Sequence, residues 1–68
     1  MRRARTASMR QLFASTDRID AIPVDELTEV SPLSRCRAIC ALTGYPNPEA
    51  LVPLVELRIA REVAHAAE

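Results

Sequence analysis

The sequence predicts an all-α chain: a small helical hairpin, with helices near 32–43 and 48–66, preceded by a short N-terminal helix and a basic flexible arm. Three observations carry that prediction. Ser31-Pro32 and Asn47-Pro48 each set a capping residue before a proline at the first helical position, where a missing N–H costs nothing. Gly44, the only glycine in 68 residues, stands between them as a left-handed helix stop. The apolar residues on either side recur every three or four positions, the spacing of one helix face.

Taken in order, residues 1–8 carry Arg2, Arg3 and Arg5 and no large apolar group besides Met1, so they read as a flexible arm before a single small helical domain over 9–68. Met9 is an alternative start, which would make those three arginines an extension. Met9, Leu12 and Phe13 share one helical face, and Ser8 is placed to cap it, giving a short helix from about Met9 to Ser15. Beyond Asp17 the pattern weakens. Pro23 disfavours helical conformation at Ile22, and Val24, Leu27 and Val30 suit one or two turns. This stretch reads as a connector with a short acidic helix, or with a brief strand over Arg18–Ile22 as the alternative.

Helix 32–43 presents Leu33, Cys36, Ile39, Cys40 and Thr43 as one stripe. In the last helix Asn47 is the expected cap, Pro48 the first position, and Glu49 complements the positive end of the dipole. At 100° per residue, Leu51, Val52, Val55, Ile59, Val63 and Ala66 fill a sector of about 120°, the width of a core-facing stripe. Pro53 would kink this helix unless the helix restarts there.

Charge is distributed unevenly. Arg2, Arg3, Arg5 and Arg10 precede any carboxylate, whereas from Asp17 onward nine carboxylates meet five arginines. A roughly +4 arm therefore precedes a roughly −4 body, although the whole chain is formally neutral. The opening shares its Arg-rich, acid-poor character with organelle transit peptides, but no amphipathic helix is clear there. The same segment fits the loose pattern accepted by basophilic kinases, a frequent chance match. No run of about 18 uncharged apolar residues is present to form a membrane span, and the expected location is the cytoplasm or the inside of an assembled particle.

A chain of about 60 residues buries only about 60% of the surface its unfolded form exposes. Phe13 and Tyr45 are the only rings, so the core is left to Leu, Val, Ile and Ala, and a partner chain is the expected source of extra stability. Chemistry is sparse. Cys36 and Cys40, four apart on one helix, have Cβ atoms about 6 Å apart, against about 3.8 Å in a disulfide, so both read as core residues. Zinc would need two more ligands, and His65 is the sole histidine; no metal or cofactor is expected. A single glycine cannot build a phosphate-binding loop, and Asp25, Glu26 and Glu29 lie together without a pocket, so no enzyme is expected.

Interaction is the remaining theme. Arg58, Arg61 and His65 form a basic edge, partly neutralised by Glu62. Leu54 and Leu57, with Ala60 and Ala64, make a second apolar strip on a helix whose core stripe already lies elsewhere. One strip satisfies a two-helix hairpin; a second asks for another helix. The expected function is a non-enzymatic protein-interaction or structural module that joins itself or a larger partner, with Leu54, Leu57, Arg58 and Arg61 as the contact residues. The alternative is a small nucleic-acid binder using Arg2, Arg3, Arg5 and Arg10, each neutralising one phosphate. The second helix argues against groove reading, since Pro48-Glu49-Ala50-Leu51-Val52 offers bases no donor.

Overall fold

The computed structural model describes residues 8–67. Apart from Ser8, the expected arm, with Arg2, Arg3 and Arg5, lies outside them. The all-α class holds, with no strand among the described residues. The elements are α1 (Met9–Ala21), α2 (Val24–Leu27), α3 (Pro32–Thr43), a 3-10 turn (Pro48–Leu51) and α4 (Val52–Ala67).

Ser8 opens α1 in extended conformation. Its hydroxyl accepts from the Gln11 N–H at 3.1 Å and the Gln11 side chain accepts from the Ser8 N–H at 3.2 Å, a reciprocal capping box. The helix does not stop at Ser15 but runs on to Ala21, which overturns both the shorter boundary and the strand alternative over Arg18–Ile22. The reason lies across the molecule. Ser15 is fully buried and its hydroxyl meets that of Thr43 at 2.8 Å, while the Gln11 and Ile39 carbonyls are placed to accept the proton left over. The hydroxyl of a residue with weak helix preference thus finds its partners inside the fold, one of them 28 positions away. Ile19, one turn further on, joins the core. Ile22 then leaves the helical region at ψ 128, as the following proline demands.

Helix α3 follows its sequence signals closely. Ser31 accepts from the Ser34 N–H at 3.2 Å, Pro32 occupies the first turn, and Gly44 ends the helix at φ +80 with its N–H on the Cys40 carbonyl. Only glycine adopts that left-handed conformation without strain, and a Cβ there would also lie 3.0 Å from the Gln11 amide. The last helix departs from expectation at its start. Asn47 makes no side-chain capping bond, and Pro48–Leu51 winds as a 3-10 turn before α4 begins at Val52. Pro53 then sits in the first turn of α4, where its absent N–H has no intrahelical partner to lose. The α-helix begins at Val52, one residue before the proline and close to the second of the two readings.

Among the described residues, seven form the core: Ile19, Leu27, Cys36, Ile39, Cys40, Leu51 and Val55, with Leu12, Ile22, Tyr45, Val52 and Ile59 packed against them. Gln11, near the start of α1, lies against Gly44, whereas Arg58 of α4 reaches the other end of α1. Since α4 leaves from the Gly44 end of α3, α1 and α4 run side by side in the same direction. That pairing positions the surface described next.

Candidate interaction surface

On α1, the spacing of Met9, Phe13, Thr16 and Asp20 places all four within a narrow helical sector. This sector lies away from the buried Ser15 and Ile19, and Phe13 is 57% exposed. On α4 the corresponding row is Leu54, Leu57 and Arg61; Leu54 is 37% and Leu57 48% exposed. The two rows border a groove of about 170 Å³ whose lining includes Thr16, Asp20, Leu54, Leu57 and Arg61, with Ile19 at its floor.

Arg58 belongs to the same groove but is tied down within the chain. One terminal nitrogen donates to the Ile19 carbonyl at 2.5 Å and to the Ile22 carbonyl at 2.6 Å, and Nε lies 3.6 Å from Glu62. The Ile19 carbonyl lies in the last turn of α1 and the Ile22 carbonyl just past it, where helical N–H donors run out. A guanidinium there both satisfies them and complements the negative end of the helix dipole. Arg58 therefore joins α4 to the end of α1 instead of standing free on a basic edge. Arg61 and His65 remain exposed. Among the described residues, neither Arg61 nor Asp20 forms an ion pair.

Arg35 plays a similar part on the opposite side, donating to the Glu26 carbonyl at 2.8 Å as α2 ends; its Nε is buried without a partner. It borders a groove of about 320 Å³ between α1, α2 and α3, walled by Ile22, Ile39 and Leu42 and edged by Arg18 and Glu26. The charges there are mixed and the surface is open.

Neither cysteine offers reactive chemistry. Cys36 and Cys40 are free and buried. Burial raises both thiol pKa values, with the neighbouring Cys40 adding to the effect at Cys36. A thiolate nucleophile needs the reverse shift. No cluster of three metal-ligating side chains occurs among the described residues. None of their helices is long and apolar enough to cross a membrane.

Of the expected contact residues, the structure brings Leu54, Leu57, Arg58 and Arg61 to one groove. The α1 half of that groove was not visible from the sequence. The signal was present in the 9, 13, 16, 20 spacing, but it depended on α1 continuing past Ser15. Of the arginines in the nucleic-acid alternative, only Arg10 is described, and it is exposed on α1. Comparison with known protein families, curated proteins and solved structures finds no match.

Proposed function

We propose that this chain is a non-enzymatic interaction or structural module that docks through the joined faces of α1 and α4. The observation that supports it is the exposure of Leu54 and Leu57, at 37% and 48%, beside the α1 row containing Phe13. Beside a core of seven described residues, that much apolar surface on adjacent helices is a cost in water unless another surface covers it. The module acts in the cytoplasm or inside an assembled particle, where two free thiols are at home.

A photoreactive residue in place of Leu57, incorporated in the cells that make the protein, tests this reading. The expected result is a discrete set of covalent adducts that are absent when the same residue replaces exposed Arg37 on α3. No adduct from position 57, or equal yields from both positions, would overturn it.

A further inference from the structure

We propose that the occupant of the α1–α4 groove is a second copy of this chain, which deepens the docking reading and rests on it. The groove is edged by charges of opposite sign on opposite sides. Asp20 stands on the α1 side and Arg61 on the α4 side, and the apolar Leu54 and Leu57 lie beside them. Neither charge is answered by an ion pair among the described residues.

An isologous dimer requires a patch that complements itself under a two-fold rotation. Because α1 and α4 run in the same direction, a two-fold axis laid along the groove sets α1 of one copy over α4 of the other at the same height. Asp20 of each copy then faces Arg61 of the other, twice over. Leu54 and Leu57 of the two copies meet near the axis, and Phe13 comes down over the beginning of the second copy's α4. The pairing of acidic and basic edges across one apolar strip is what a self-complementary surface specifically requires.

Charge reversal tests this without disturbing the core, because Asp20 and Arg61 are both exposed. Sedimentation equilibrium of the purified chain is expected to show a monomer–dimer equilibrium. Asp20→Arg alone, or Arg61→Asp alone, places like charges together twice in each homodimer and is expected to raise the dimer Kd about tenfold or more. An equimolar mixture of the two variants restores both opposite-charge contacts in the mixed dimer and is expected to recover a Kd within about threefold of the parent. Such recovery cannot come from a change within either chain, since each keeps its own altered groove.

A monomer at every concentration, a dimer indifferent to both reversals, or a mixture no tighter than its components would overturn the inference. Adducts from position 57 joining the chain to a different protein, together with a monomeric purified chain, would defeat the second-copy inference alone. Absence of any adduct would defeat the docking reading as well.

Discussion

The two halves of α4 carry one pattern and meet two different environments. Val52, Val55 and Ile59 occupy the core-facing sector and are buried or partly buried. Val63 and Ala66 continue the same sector for two further turns and are exposed, Val63 at 64%. The helix keeps its amphipathic character past the point where an opposing element ends. Helix α1 stops at Ala21, at the height of Arg58, and α2 supplies only Leu27 to the core beyond it. Periodicity therefore reports which side of a helix can be buried; burial itself depends on what stands opposite. A stripe longer than its cover marks where the described elements stop opposing the helix.

The largest expected effect lies in the covered half. Val55 is completely buried, and Val55→Ala is expected to cost about 2–3 kcal/mol through lost transfer energy and an incompletely collapsed cavity. Urea denaturation followed by circular dichroism measures it. A cost near zero would mean that the first turns of α4 are no better packed than the last, and the comparison would fail.

Next comes the joint between the halves. Arg58→Ala removes a charged donor from the Ile19 and Ile22 carbonyls, with an expected loss of about 2 kcal/mol. Arg61→Ala, three residues on and facing solvent, is expected to change stability by no more than about 0.5 kcal/mol. Equal effects at the two sites would show that the bonds to α1 contribute nothing beyond surface charge.

A smaller, pH-dependent effect separates buried from open positions in another way. The folded-state pKa values of Cys36 and Cys40 are raised above the ordinary thiol value of 9.0. Above that value the unfolded chain gives up its thiol protons before the folded chain does, so the folded state binds more protons and stability falls as pH rises. Below it both states are protonated and the thiols add no slope. The urea midpoint is thus expected to decline from about pH 9 upward, and Cys36→Ala with Cys40→Ala is expected to flatten that decline while lowering stability at neutral pH. An unchanged slope in the double variant would assign it to other groups.

What could be read from the sequence were the features with local causes. The Ser31-Pro32 start, the Gly44 stop and the Ser8 cap each depend on neighbours within four residues, and all appear as expected. Beyond Ser15, α1 is engaged by Ile19 in the core and by Arg58 on the Ile19 and Ile22 carbonyls, contacts between residues far apart that local preference cannot report. Asn47 misled because its residue type and the proline after it suit a cap, yet the chain enters a 3-10 turn there without that bond. At the candidate surface, Leu54 and Leu57 were legible because they fall outside the core stripe of their own helix. Asp20 and Thr16 were not, because their place beside α4 follows from tertiary packing. Arg58 was legible as a charge on the correct side, but its engagement with the end of α1 required knowing where α1 ends.

The smallest expected effect tests the comparison most directly. Val63→Ala makes the same chemical change as Val55→Ala, on the same helix and in the same sector, so propensity and transfer chemistry largely cancel between them. With Val63 64% exposed in the single chain, its substitution is expected to shift stability by no more than about 0.5 kcal/mol. Measuring both variants at two protein concentrations sharpens the point, since stability gained from association grows with concentration and stability from the internal core does not. If Val63→Ala stays near neutral at both concentrations, the last turns of α4 are open in every assembly formed. If its cost grows at the higher concentration, the overhang is itself buried by association, and the stripe that outlasts the core has found its cover in another molecule.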